Sequence, residues 1–326
     1  MELYRFRRTD ILGCIKASRA VAAQTGQSVL YHLLDFLTSV VLYGVDPQQY
    51  SAGGFYRLPR FLRKKTYTLQ RSNKLCKAFN DKSYRHLLRN KEEFDALFSR
   101  FISRGWMHCK NASAEEIAAF LRRYGRVIAK PGNSEKGQGI YSLEYNEQTV
   151  AEVSGSLAGQ DILLEEWLTQ HPQMCFGNHS INTVRYNTVL DAGGEVHLIS
   201  TSLRCGVGDA IVDNYSGGGV VYPLDNKLGR INGPGKSLKL GLYIYTHPGT
   251  DIFMLGRVIP YWNEALEIVM AAAKVVPQIR LVGWDVAILE NGPELIEGNT
   301  RPGENLFETQ GEGERGVYRK VWSFYK

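Results

Sequence analysis

The sequence predicts an α+β fold with a helical N-terminal region, and three observations carry that expectation. Up to about residue 78, apolar side chains recur at mixed spacings of three and four (Leu30, Leu33, Leu34, Leu37, Val40, Val41), which marks buried helical faces. From residue 126 onward, short apolar or alternating runs are separated by glycine-rich and Asn-Gly segments, the pattern of strands joined by hairpins and loops. Further helices lie among the strands, one opened by the capping box Ser113–Glu116 and one, over residues 261–276, closed by Pro277.

A chain of 326 residues can bury a substantial core in two or three subdomains, and 44% hydrophobic with 22% charged content is ordinary for a globular protein. The net charge of +6 suits anionic ligands such as nucleotides without requiring nucleic acid. Cys14, Cys76, Cys109, Cys175 and Cys205 are odd in number and form no CxxC pair, which argues against a zinc site or a disulfide framework and for a reducing compartment. The opening MELYRFRRTD lacks the apolar core of a signal peptide, and residues 29–45, with His32 and Asp35, are too short and polar to span a membrane. A cytoplasmic location is expected.

Taken in order, helices are expected over residues 10–23 and 28–43, followed by the breaks Asp46-Pro47 and Gly53-Gly54. Arg57, Arg60, Arg63, Lys64, Lys65 and Arg71 then form a basic run, either a solvated helix face or a docking surface for an acidic partner or membrane head groups. Helices at 82–88, capped by Asp81, and at 91–101 precede the capping-box helix. Residues 126–130 read as a strand ending in Lys130, 132–139 as a glycine-rich loop and 140–143 as a returning strand. Such a loop offers backbone N–H groups to phosphates and the lysine a point charge; a plain hairpin loop is the alternative. It is not a Walker loop, because Gln138 stands where that motif needs lysine, nor a Rossmann fingerprint, because Gly137-x-Gly139 lacks the third glycine. Residues 161–168 read as a strand running into a connector, and 181–190 with 196–204 as a hairpin bearing Asn182, Arg185 and Arg204. Each arginine meets either a surface salt-bridge partner or an anion, and the glycine loop at 213–219 that follows favours the anion. Residues 241–244 and 247–253 read as irregular, with His247 either structural or a substrate contact.

The densest chemistry lies at 282–303. Apolar-rich runs at 286–289 and 294–297 flank the turn signal Asn291-Gly292, with Asp285 just before the first and Glu297 at the end of the second. If these strands pair, the two carboxylates meet at one end of the hairpin, and Asn299 shares the face of Glu297. Two carboxylates and an amide oxygen make a hard-oxygen set suited to Mg2+, which keeps coordination sites for water and phosphate; a surface hairpin with ordinary acids is the other reading.

In their order and spacing, VIAKPGNSEKGQGI, LLEEWLTQHP, SINTVR, DNYSGGG, HPGTDIF and GWDVAILENGPELIEGN resemble the ATP-grasp superfamily, specifically its sugar-transfer-associated branch, related to glutamate ligases and glutathione synthetases. The resemblance covers about residues 79–305. It implies an ATP-grasp fold, two α+β lobes clasping ATP, with a helical region over 1–78, a lobe bearing the lysine strand and lid loop over 79–163, and a core lobe over 164–326. It implies that Lys130 and the loop residues Ser134, Lys136, Gly137 and Gly139 hold the ATP phosphates, with Lys82 as a second contact. Glu165, Glu166, Trp167 and Leu168 would hold adenine through the connector backbone; Gln170, His171 and Pro172 stand where the superfamily often has a ribose-binding glutamate. Asp285, Glu297 and Asn299 would bind Mg2+, and Arg185, Arg204 and Asn214 would face the transferred phosphoryl group. The function implied is a ligase joining a small-molecule carboxylate to an amine through an acyl phosphate, with ATP and Mg2+ as cofactors. A small-molecule kinase, a non-catalytic nucleotide binder and, on the basic run alone, a nucleic-acid binder are the alternatives.

Overall fold

The computed structural model of the chain describes residues 8–132, 139–177, 180–208, 217–237, 240–303 and 316–326. The N-terminal region is helical. Helix α1 (Arg8–Thr25) leads into α2 (Val29–Tyr43), whose N-cap Ser28 accepts a hydrogen bond from the Tyr31 amide and whose C-cap Gly44 takes a left-handed φ of 68°. Helices α3 (Pro47–Tyr50) and α4 (Arg60–Arg63) fold back on this pair, and Cys14, Val21, Phe36, Val40, Tyr50 and Phe55 form a small separate core. Arg63 fixes α4 to α2 through Asp35, with Nη1–Oδ1 at 2.6 Å. Helix α5 (Leu69–Phe79) then crosses to the main body, where Leu75 and Phe79 pack with the C-terminal helix Val317–Ser323 against Val189, Ile199 and Leu281.

Short helices α6 (His86–Arg89) and α7 (Lys91–Leu97) lead to the smaller of two sheets. Its strands β1 (Trp106–His108), β2 (Arg126–Pro131), β3 (Tyr141–Glu144) and β4 (Ile162–Glu166) run antiparallel in the order β1-β4-β2-β3. Helices α8 (Ala114–Tyr124), with its capping box intact, and α9 (Val150–Leu157) cover it through Ile117, Leu121, Val150 and Leu157. The larger sheet contains β5 (Thr183–Leu190), β6 (Val196–Cys205), β7 (Val220–Pro223), β8 (Gly235–Ser237), β9 (Gly241–Ile244), β10 (Leu281–Leu289) and β11 (Gly292–Asn299), in the antiparallel order β11-β10-β5-β6-β7-β8-β9. Helix α10 (Trp262–Ala272) lays Trp262, Ala265 and Val269 into the main core with Tyr186, Leu203 and Trp284.

Several elements depart from the sequence expectation for physical reasons. The helix expected over 91–101 ends at Leu97 and continues as a 3₁₀ turn, Ser99–Phe101, which swings the chain so that Arg104 enters the interior. The helix expected over 82–88 splits into the turn Lys82–Tyr84 and α6. Residues 241–244, expected to be irregular, form the edge strand β9, because β8 supplies a pairing partner that local propensity does not reveal. Strand β10 begins at Leu281, five residues before the run that signals it, because Leu281–Asp285 pair with β5; Asp285 therefore lies inside the strand. The boundary expected between residues 163 and 164 falls within β4, whose neighbours β1 and β2 both belong to the smaller sheet.

Candidate active site

The antiparallel register lines up four side chains across four adjacent strands. Asp285 on β10 stands opposite Glu297 on β11 and opposite Arg185 on β5, while Arg204 lies two positions along from the register partner of Arg185 on β6. A β-bulge between Asp285 and Val286 interrupts the ladder at this point, as bulges do where a strand must re-aim side chains. Arg185 forms a fork on the Asp285 carboxylate, with Nη2–Oδ2 at 2.8 Å and a second, shorter contact from Nε. Arg204 Nη1 donates to the same Oδ2. Gly283 makes room for this arrangement: a Cβ there would lie 3.1 Å from Arg185 Cδ and 2.9 Å from Asn187 Oδ1. The Asn299 amide donates to Glu297 Oε1 at 3.0 Å and to Asp285 Oδ2 at 3.4 Å. The pairing of the two carboxylates expected from the hairpin pattern is thus present, with both arginines of the second hairpin beside it.

The two acids differ in electrostatics. Burial pushes the Asp285 carboxyl up, but the Arg185 and Arg204 charges and their hydrogen bonds outweigh it and hold the group well below the usual range. Glu297 moves the other way. The surrounding protein and then the neighbouring Asp285 charge raise its pKa, although solvent reaches the side chain. A divalent cation placed between them would remove that conflict, and the donor chemistry fits one. Among the described residues no group of three or more His, Cys, Asp and Glu side chains is placed to hold a metal. The set here is two carboxylates and an amide, so water and phosphate oxygens must complete an octahedral Mg2+ shell. Asn299 presents its nitrogen to both acids, and half a turn of the amide would present its oxygen instead.

A second charged group lies where the smaller sheet meets β11. Lys130, at the end of β2, is ion-paired with Glu165 on β4. Glu165 also receives Arg104, whose Nε stands 3.2 Å from Oε2. The buried Arg104 guanidinium further binds Asp95 on α7 at 2.8 Å and Glu294 on β11 at 3.0 Å. Glu294 accepts from the Ser103 amide and hydroxyl as well. Burial pushes the Glu165 carboxyl up, but the charges of Arg104 and Lys130 win and depress it. Lys91, the first residue of α7, donates to the Pro131 carbonyl at 3.3 Å. Burial, then repulsion from Lys130, lower its pKa, while Glu297 and Glu165 pull it back up. Lys91 thus responds to charges on both the lysine strand and the carboxylate hairpin.

The remaining expected residues are distributed as follows. Ser134, Lys136, Gly137 and Asn214 lie outside the described residues. Gly139 ends the loop with a left-handed φ of 74°, and Gly132 opens it where a Cβ would collide with the Asp161 carboxylate at 2.3 Å. Lys82 stands exposed on its turn, and no described contact joins it to the Lys130 or Asp285 groups. Glu165 spends its side chain on Lys130 and Arg104 and its backbone on pairing with β1 and β2. The Glu166 and Trp167 amides donate to Gly105 and Arg126 carbonyls, and Arg126 stacks on the Trp167 ring at 3.5 Å. Leu168, next along, starts the connector proper. Gln170 is buried in a reciprocal amide pair with Asn182, which is a structural role, and His247 Nε2 donates to the Gly206 carbonyl at 2.9 Å within the core.

Sequence reasoning missed Lys91, Arg104, Asp95 and Glu294. For Lys91 a signal existed, since Asn90-Lys91 repeats the cap-then-lysine pattern of Asp81-Lys82. Arg104 gathers partners up to 191 residues away, and no local pattern announces it.

A family model described as sugar-transfer associated ATP-grasp matches residues 70–322. The search of curated proteins found no match. Similar solved structures include the ATP-grasp ligase PsnB complexed with a phosphomimetic variant of its minimal precursor, Mg and ADP, at 13% identity and a TM-score of 0.46, covering 76% of this chain and 61% of that one. The ADP complex of PurK, an N5-carboxyaminoimidazole ribonucleotide synthetase, is 11% identical with a TM-score of 0.47 over 73% and 51% of the two chains. D-alanyl-alanine synthetase A from Vibrio cholerae is 12% identical with a TM-score of 0.42 over 73% and 65%. The chain therefore spans about three fifths of PsnB and half of PurK.

Proposed function

The chain belongs to the sugar-transfer-associated ATP-grasp family, and from that premise we propose that it is an ATP- and Mg2+-dependent ligase joining a small-molecule carboxylate to an amine. The observation that carries this reading is the row Glu297–Asp285–Arg185–Arg204, an acidic pair backed by two buried arginines on neighbouring strands. On this reading the smaller sheet, with Lys130 and the glycine-rich segment after it, holds the phosphates, and the larger sheet carries the metal and the acceptor acid. Mg2+, held by Asp285, Glu297 and Asn299, would neutralise phosphate charge.

The chain's own residues do the rest. A carboxylate is a poor electrophile at neutral pH, and γ-phosphoryl transfer converts it to an acyl phosphate that an amine can attack. Both transition states place growing negative charge on oxygens, and Arg185 and Arg204 are preorganised to receive it. Asp285 holds the two arginines in place before substrate arrives. Lys130 and Lys91 would bind the phosphates, each exchanging a protein oxygen, Glu165 or the Pro131 carbonyl, for a phosphate oxygen. The connector from Leu168 would take adenine through backbone groups. A lid over the phosphates would exclude water, which otherwise hydrolyses the acyl phosphate.

The direct test is ADP and phosphate release from Mg·ATP with a panel of carboxylic acids, each with and without an amine pool, followed by mass spectrometry. Turnover that needs both, with a product lighter than their sum by one water, is the expected result. A stable phosphorylated product with no amine dependence would replace the ligase by a kinase. Two lysine variants check the phosphate site. Lys130→Ala and Lys91→Ala should each weaken nucleotide binding or phosphoryl transfer by at least about tenfold, about 1.4 kcal/mol, whereas Lys82→Ala, with no described contact to either group, should change it less than either. Unchanged kinetics in Lys91→Ala would return the second phosphate contact to Lys82.

A further inference from the structure

We propose that His108 is a positioning residue for Lys91: by occupying the Asp161 carboxylate it keeps that acid from holding the lysine back from the phosphates. The inference rests on the reading of Lys91 as a phosphate contact. His108 ends β1, the edge strand of the smaller sheet. It stands opposite Leu163 on β4, and Leu163 stands opposite Lys130 on β2. Residues directly opposite share a face of a sheet, so His108 lies on the face that carries Lys130 and, two positions beyond Leu163, Glu165. The imidazole is wedged between carboxylates of two elements. Nε2 is 3.2 Å from Asp161 Oδ1, just ahead of β4, and Nδ1 faces Glu92 Oε2, in the first turn of α7, at 3.8 Å. An ionised carboxylate only accepts, so Nε2 carries a proton and donates it to Asp161. The ring is 11% exposed, between acids that are 43% and 53% exposed.

Asp161 and Lys91 flank the start of the glycine-rich segment. The Asp161 carbonyl accepts from the Gly132 amide at 2.8 Å, and its carboxylate leaves no room for a Cβ on Gly132, which would lie 2.3 Å from both oxygens. Lys91 Nζ donates to the carbonyl of Pro131, one residue earlier, at 3.3 Å. Burial, then Lys130, lower the Lys91 pKa, and Asp161 is among the acids that pull it back up, so the lysine senses this carboxylate. Lys130 shows what a neighbouring acid does to such a lysine. It is ion-paired with Glu165, and Arg104 shares that carboxylate. The arrangement recurs around Lys91, with an acid beside the lysine and a second nitrogen donor on the acid, but the partners are divided differently. Asp161 gives Oδ1 to His108, and Lys91 takes a neutral carbonyl, which a phosphate displaces more readily than it displaces a carboxylate.

The test is competition of Mg·ATP, and separately of adenosine, against a fluorescent nucleotide bound to the full chain. His108→Phe keeps a planar ring but removes the donor, which leaves Asp161 for Lys91. It should weaken ATP binding by at least about threefold, the scale of an ion pair between partly exposed groups. Adenosine, which has no phosphates, should bind as it does to the parent and so report an intact fold. Two further variants separate positioning from packing. His108→Gln supplies an amide donor near the place of Nε2 and should keep most of the ATP affinity. His108→Phe with Asp161→Asn removes the acid along with its partner and should return ATP binding to the parent level. Equal losses of ATP and adenosine in His108→Phe, or no recovery on adding Asp161→Asn, overturn the proposal, since His108 would then act by packing α7 against the sheet. Lys91→Ala, run alongside, shows which statement has failed. If it weakens ATP binding while His108→Phe does not, the proposal alone falls. If it binds ATP as the parent does, or if the parent binds no nucleotide, the Lys91 assignment falls and the proposal with it.

Discussion

Glu297→Gln is expected to cut ATP-dependent ADP formation by at least about a hundredfold at ordinary Mg2+ while leaving thermal stability unchanged or raised. The two effects have opposite signs for one reason. In the free protein the surroundings and the Asp285 charge raise the Glu297 pKa, so the folded state binds that proton more tightly than the unfolded chain does. Ionising Glu297 at neutral pH therefore costs stability, and a neutral isostere relieves that cost. The charge is useful only when a cation joins the pair. A residue whose removal stabilises the fold and abolishes turnover is kept for function. Asp285→Asn should behave differently, because it leaves Arg185 and Arg204 buried without their shared anion; it should lose both activity and stability, the latter by about 3–5 kcal/mol. Turnover of Glu297→Gln with the parent's Mg2+ dependence would remove Glu297 from the metal site.

How much of this was legible in the sequence depends on how far apart the partners lie. The hairpin carrying Asp285, Glu297 and Asn299 announces itself through Asn291-Gly292 and two flanking runs, because hairpin register is a local matter. The hairpin carrying Arg185 and Arg204 does so for the same reason. That β10 lies between β11 and β5, and so brings Arg185 against Asp285 across 100 residues, is a property of the sheet that no local pattern holds. The start of β10 was hidden because Leu281–Trp284 are buried and read as one apolar stretch with no alternation. Glu165 shows the limit most clearly. Its position on a strand was readable; that its side chain belongs to Lys130 and Arg104 was not, because Arg104 precedes its strand by some sixty residues of chain.

Arg104→Ala is expected to lower the unfolding free energy by about 3–5 kcal/mol in urea titration, the range for removing one partner of a buried charged group. Arg104 is the cation at which α7, the smaller sheet and β11 meet, through Asp95, Glu165 and Glu294. Without it, three buried carboxylates face one another with Lys130 as their remaining near cation. Even in the parent the balance is close. Burial, against the opposing Arg104 charge, pushes Asp95 up to about 6, so this group's ionisation costs stability that returns as pH falls through 6. Glu165 is depressed instead; its contribution is present above the ordinary value of 4.5 and is lost as pH falls below it. Stability should therefore rise slightly from pH 7 toward 5 and then fall, and Arg104→Ala should steepen the rise, since Asp95 loses the charge that favours its ionised form. Neutralising the orphaned acids separates this account from simple loss of packing. Arg104→Met with Asp95→Asn and Glu294→Gln should recover most of the lost stability, and failure to recover it would mean that Arg104 acts through its shape. The nucleotide site gives the second readout. Lys130 is shared between Glu165 and the proposed phosphates, and Arg104 neutralises Glu165 so that the lysine can leave. In the Arg104→Met triple variant Glu165 keeps its full charge with no guanidinium beside it, so Lys130 is held more tightly and ATP affinity should fall even where the fold is restored.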